Sequence, residues 1–88
     1  MVMIKKGSIM PVQTLGRGLT ANLGANVVAG TLHVVGVATP YTISINGGAA
    51  VAHVAAVGVV DNYAINGQSV SITNTTPNPG PDNLTLSW

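Results

Sequence analysis

Charge is the scarcest thing in this sequence. Of 88 residues, three are Lys or Arg and two are Asp or Glu, so the charged share is 6% and the formal net charge is +1. An ordinary domain carries about 25%. So small a charge gives no field to hold a phosphate backbone, which argues against a nucleic-acid partner. Cysteine is absent, which removes disulfide staples and thiolate metal sites. Glu is absent and Lys scarce, so the usual surface residues of helices are missing. Long apolar runs are missing too. The longest, Val27 to Ala38 and Ala49 to Val60, are broken by His33 and by His53 and Gly58, and both fall well short of the roughly 20 residues of a spanning helix. Lys5 and Lys6 lead into Gly7, Ser8 and Pro11 rather than an apolar stretch, which is not the build of a signal peptide. The expectation is a chain made in the cytoplasm and left unprocessed, with no membrane partner. The sequons at Asn74 and Asn83 then carry no meaning.

The catalytic vocabulary is nearly empty. Besides the termini and two tyrosines, the ionisable groups are Asp61, Asp82, His33, His53, Lys5, Lys6 and Arg17. Ser-His-Asp catalysis needs a positioned nucleophile, a base and an oxyanion hole. No G-x-S-x-G is present and no paired carboxylates are recognisable. The expectation is no enzymatic activity, no cofactor and no small-molecule substrate. His33 and His53 are the natural metal suspects, but a structural zinc site wants four ligands. The others would come from Asp61 or Asp82, or from copies around a three-fold axis. The plainer reading is a strand histidine bonded to backbone or water, and no metal site is assigned. Gly16-Arg17-Gly18 lacks the rest of a phosphate loop and reads as a flexible arm with one charged contact.

What is present favours strands. Val occurs 13 times and Thr 9 times, and branched Cβ atoms pack well on a pleated surface. Eleven Gly and eight Asn punctuate the chain. Residues 1–26 read as an irregular N-terminal arm with at most a short strand near Met10 to Leu15, because Pro11, Gly16, Gly18 and Gly24 oppose a long helix. Residues 27–74 read as a β body. In it Leu32, Val34 and Gly36 share one face, and Thr31, His33 and Val35 the other. Tyr41, Ile43 and Ile45 point inward, as do Val70 and Ile72. Asn46-Gly47 and Asn66-Gly67 read as type I′ hairpin turns, the strongest local signals in the chain. Residues 49–60 are Ala-rich, which permits a helix, but their valines favour a strand. Asp61-Asn62 reads as a turn. Residues 75–88 read as a Pro-rich tether that leads away from the body, and a terminal strand, since Pro77, Pro79 and Pro81 stiffen the segment. Leu84, Leu86 and Trp88 share one face of that strand, which pairs either with its own sheet or with another chain's edge. Trp88 is then either a core plug or an interface anchor. The expected fold is all-β, a small antiparallel sandwich or open barrel of roughly six or seven strands.

A surface with so little charge keeps no monomer dispersed, and protein interfaces are depleted in Lys, Glu and Asp at their centres. The chain therefore reads as a subunit of something larger. A small β-rich chain without Cys or signal peptide, almost uncharged and with irregular arms at both ends, resembles the decoration (cement) proteins of tailed-phage heads. That resemblance implies a place on the outer capsid surface of a virion, at three-fold or two-fold positions, often as a homotrimer. The implied partner is the major capsid protein or another shell protein. The residues expected to meet it are Lys5, Lys6 and Arg17 from the N-terminal arm and Leu84, Leu86 and Trp88 from the terminal strand. A different class remains open, a fibre, spike or adhesin-tip module that binds a glycan or host surface through Tyr41, Tyr63 or Trp88.

Overall fold

Short runs of Val, Ile, Leu and Thr, stopped by Gly, Asn or Pro, set both the number and the length of the strands. The computed structural model describes residues 11–77 and 83–88. Among them are eight strands and no helix: β1 (Val12–Leu15), β2 (Thr20–Leu23), β3 (Thr31–Val35), β4 (Thr39–Ile45), β5 (Val51–Ala55), β6 (Asp61–Ala64), β7 (Val70–Asn74) and β8 (Leu84–Ser87). They form two antiparallel four-stranded sheets, sheet A in the order β1-β8-β3-β6 and sheet B in the order β2-β7-β4-β5.

The pairing follows a rule. The first strand pairs with the last, the second with the seventh, the third with the sixth and the fourth with the fifth. The chain is in effect one long hairpin with β4–β5 at its tip, wrapped so that β8 also meets β3 and β7 also meets β4. This is the strand order of a jelly roll. The core lies between the sheets. Sheet A sends in Leu15, Leu32, Val34, Leu84 and Leu86, and sheet B sends in Leu23, Tyr41, Ile43, Val70 and Ile72. Each large apolar side chain so buried stabilises the fold by roughly 1.5–3 kcal/mol. The alternation that puts Leu32 and Val34 on one face of β3, Tyr41 and Ile43 on one face of β4, and Val70 and Ile72 on one face of β7 is the buried face in every case.

Four expectations change. The arm of residues 1–26 gives way to the body from Val12 onward: β1 falls where a short strand was expected, but β2 is a second strand, and Leu15, Ala21 and Leu23 belong to the core. Residues 1–10 lie outside the described residues. The terminal segment does not leave the body either. β8 lies in the middle of sheet A, between β1 and β3, because Leu84 and Leu86 gain complete burial there. Most of the Pro-rich tether, residues 78–82 with Asp82, is outside the described residues. Asp61-Asn62 opens β6 instead of turning.

The fourth change concerns the second hairpin. Both Asn-Gly pairs do form type I′ turns. Asn46 and Gly47 have φ of 56° and 75°, and Asn66 and Gly67 have φ of 51° and 86°. Each is closed by a bond across it, Gly48 N–H to Ile45 O at 3.0 Å and Gln68 N–H to Ile65 O at 3.1 Å. The first joins the paired strands β4 and β5. The second joins β6 of sheet A to β7 of sheet B. Beyond that closing bond the turn is held by the β2–β3 loop, with Gly67 N–H on Val28 O at 2.6 Å and Ile65 N–H on Gly30 O at 2.8 Å. A turn signal specifies the local backbone, and these outside partners decide which strands leave it paired.

Candidate functional site

The residues expected to meet a partner do not come together. Lys5 and Lys6 lie outside the described residues. Arg17 stands in the turn between β1 and β2, half-buried. Leu84 and Leu86 are completely buried in the chain's own core, so they are not available to another chain. Trp88 is half-buried against that core, and its N–H donates to Pro11 O at 3.1 Å. The β1–β8 register runs from Val12 opposite Ser87 to Leu15 opposite Leu84, so Arg17 and Trp88 sit at opposite ends of that ladder. The two histidines are also apart. His33 is on β3 of sheet A, its Nδ1 2.6 Å from Asn62 Oδ1 on β6. His53 is on β5 of sheet B, opposite Tyr41 on β4.

A polar cluster that sequence reasoning missed ties the two sheets together. Tyr41 of β4 has no exposed surface. Its hydroxyl donates to Asp61 Oδ2 of β6 at 2.9 Å and lies 2.5 Å from the Tyr63 hydroxyl. Having spent its one proton on the carboxylate, Tyr41 accepts from Tyr63. The other carboxylate oxygen, Oδ1, is 3.4 Å from His53 Nε2. The His53 ring also meets Tyr41 edge-on, with centroids 5.7 Å apart and planes at 73°. Burial first, then the bonds to Tyr63 and Asp61, push the Tyr41 hydroxyl well above the ordinary tyrosine range. Both oxygens of Asp61 are engaged, so the arrangement acts as a clamp from β4 and β5 to β6. The one hint in the sequence is a faint likeness between Tyr41-x-Ile-x-Ile-Asn-Gly and Tyr63-x-Ile-Asn-Gly, which reads as two similar hairpins and says nothing of a meeting of the two hydroxyls.

Next to the clamp the sandwich opens. A groove of about 440 Å³ is lined by Ile43, Ile45, Ala49, Val51, His53 and Tyr63. It lies between the β4–β5 end of sheet B and Tyr63 of β6 in sheet A. Val51 and His53 point the same way as Tyr41 and Ile43, yet Val51 is 61% exposed. The other face of β5 is bare as well, with Val54 55% exposed, and Val57, Val59 and Val60 in the following loop are 70%, 49% and 48% exposed. This edge therefore holds five of the large apolar side chains that face solvent. No family model matches the chain, and no curated protein and no solved structure matches it either. The outer face of sheet B is polar without charge across β2, β7 and β4. Thr20, Thr73 and Thr42 form one row across the outside of sheet B, with Thr20 and Thr73 hydroxyls 2.8 Å apart. Asn22, Ser71 and Ser44 form the next row and line a shallower recess of about 230 Å³. Among the described residues Arg17 and Asp61 are the only Lys, Arg, Asp or Glu.

Proposed function

We propose that this chain is a non-enzymatic structural subunit of a virion, a capsid decoration (cement) protein that bridges neighbouring shell subunits and stabilises the particle. One observation carries the reading. The surface combines an uncharged Thr, Ser and Asn face on the outside of sheet B with a bare edge of exposed valines, which is chemistry suited to cover by other protein. Jelly-roll domains occur in viral capsids and also in lectins, so the fold is an analogy and the surface is the argument. The contacts assigned here are those of the valine edge and the hydroxyl rows, not those of Leu84 and Leu86. Each such contact can be weak, because many linked ones act at high effective concentration. The glycan reading has less in its favour, with only Tyr63 of the three rings lining the groove. A sugar stacks on an exposed ring beside polar groups, whereas Tyr41 is buried and Tyr63 and Trp88 pack against the core.

The test is to purify virions from the source of the sequence and quantify the chain by mass spectrometry and by antibody labelling of intact particles. A fixed ratio to the major shell subunit, surface labelling, and earlier thermal release of the genome from particles lacking the chain are expected. Absence from particles, or no fixed ratio to the shell subunit, overturns the proposal.

A further inference from the structure

We propose that the free edge of β5 pairs with β5 of a second copy across a two-fold axis, joining the two B sheets into one eight-stranded sheet. Among the described residues β5 pairs on one side only, with β4. Edge strands are normally blunted with Lys, Pro or a bulge because their open backbone groups recruit other strands. Val51–Ala55 carries none of these.

The register of the pairing can be derived. Pro40 O of β4 accepts from Thr75 N–H, so the backbone groups of Pro40 face the β7 side. Backbone groups alternate sides along a strand. Those of Tyr41 therefore face β5, where Tyr41 is opposite His53. The N–H and C=O of His53 are then turned toward β4, and those of Ala52 and Val54 are turned out to the free edge. A two-fold axis through a His53–His53 pair sets Ala52 opposite Val54 of the second copy, and Val54 opposite its Ala52. All the free groups of these two residues then bond to each other. Val51 falls opposite Ala55 in the same register, so each valine of the strand meets an alanine, and the two imidazoles of His53 meet on the axis. The strand is self-complementary in backbone and in volume, which is what an isologous two-fold contact requires.

The exposed apolar area along this edge sets an upper bound on what the valines can bury. From their fractional exposures the five valines of residues 51–60 present on the order of 450 Å² per copy, or about 900 Å² for two. The β5 backbone, Ala52 and His53 add to this, against the roughly 1,200–2,000 Å² of a stable interface. The axis is perpendicular to the sheet, so both copies keep their A sheets on the same side and their two grooves become neighbours. A two-fold pair, rather than the homotrimer that the phage-head resemblance implies, is what this edge specifies.

The pairing stands on the geometry of the edge and not on the shell reading. A dimer free in solution that never enters a particle keeps the first and removes the second. The experiment is sedimentation velocity on the full chain over a concentration series, with two kinds of variant. The wild type is expected to run at twice the 8.8 kDa chain mass. Val54→Lys is expected to raise the dimer dissociation constant at least ~10-fold, since a charge on a bare edge opposes pairing, with an unchanged circular dichroism spectrum. His53→Cys places two thiols on the axis. Directly opposed residues of a non-hydrogen-bonded pair have Cα atoms about 4.5 Å apart, within the reach of a disulfide. In a chain without other cysteine, this variant is expected to form a disulfide-linked dimer in air. Val12→Cys, on the exposed start of β1, is expected to stay largely monomeric on the same non-reducing gel. A wild-type monomer or trimer, or equal cross-linking of both variants, overturns the proposal.

Discussion

Truncating Leu86 to Ala tests whether the last strand is part of the body. Leu86 is completely buried, opposite Gln13 of β1 on one side and Val34 of β3 on the other. The change removes three carbons, a transfer loss of about 2.4 kcal/mol at ~0.8 kcal/mol per methylene. Neighbours on both sides limit collapse of the site, and the residual cavity brings the expected cost to about 3–4 kcal/mol. A domain of this length has only about 4–13 kcal/mol in total, so the variant loses a large share of its stability. At about 4–8 °C per kcal/mol, its melting temperature falls by roughly 12–30 °C. Urea titration followed by far-ultraviolet circular dichroism, at one fixed protein concentration for all variants, measures this directly. Leu19→Ala, at a side chain 58% exposed, is the control and is expected to stay within about 0.5 kcal/mol of wild type. If Leu86→Ala costs less than about 1 kcal/mol, β8 is not a core strand in solution. The terminal segment is then a detachable tether after all.

Asn74 is fully buried, with its amide donating to Leu15 O at 2.9 Å and its carbonyl accepting from Thr76 N–H at 3.1 Å and Thr76 Oγ1 at 2.6 Å. Asn74→Ala strands these buried groups and is expected to cost about 2–4 kcal/mol in the same titration. Gly36→Ala is expected to cost about 1–3 kcal/mol, because a Cβ there would lie 2.8 Å from Thr39 Oγ1 and 3.1 Å from Ala55 Cβ. Tyr41 gives a pH dependence. Its folded pKa is raised above the unfolded value of about 10, so the folded state holds the proton more tightly. The contribution is complete below pH ~10 and is lost as pH rises beyond it, at about 1.4 kcal/mol per pH unit. Tyr41→Phe is expected to cost about 1–2 kcal/mol at neutral pH and to flatten this alkaline limb in melts between pH 9 and about 11. An unchanged slope would mean that the hydroxyl is not held as described.

Much of the fold was legible because it is written in local patterns. The alternation along Leu32–Val35, Tyr41–Ile45 and Val70–Thr73 gave the buried faces, and the Asn-Gly pairs gave the turns. What escaped depends on partners distant in the chain. β2 hid behind Ala21 and Asn22, weak strand formers that become a strand because β7 lies alongside them. The prolines of residues 77–81 read as a spacer leading away, yet the strand beyond them fills the middle of sheet A, where only β1 and β3 make its burial possible. The clamp of Tyr41, His53, Asp61 and Tyr63 was invisible for the same reason. Its members approach only through the β4–β5 register and the facing of the two sheets, and neither is stated by any one segment. Of the partner residues expected from the sequence, two proved to be core. A stripe of alternating leucines looks the same whether its own chain or another covers it.

The wrapped hairpin also sets an order in time. Of the paired strands only β4 and β5 are close along the chain, and the Asn46-Gly47 turn between them can form in about 1–10 μs. The pairs of β3 with β6, β2 with β7 and β1 with β8 each close a larger loop than the one before, at rising entropic cost. Folds ruled by such distant pairings take milliseconds to seconds. While the chain is being synthesised, β1 and β3 wait without a neighbour between them until Leu84–Ser87 has been made. The tip is therefore the first part to take shape, and it is the part with the barest edge. A nascent chain would present β5 to other copies well before its own sheet A has closed.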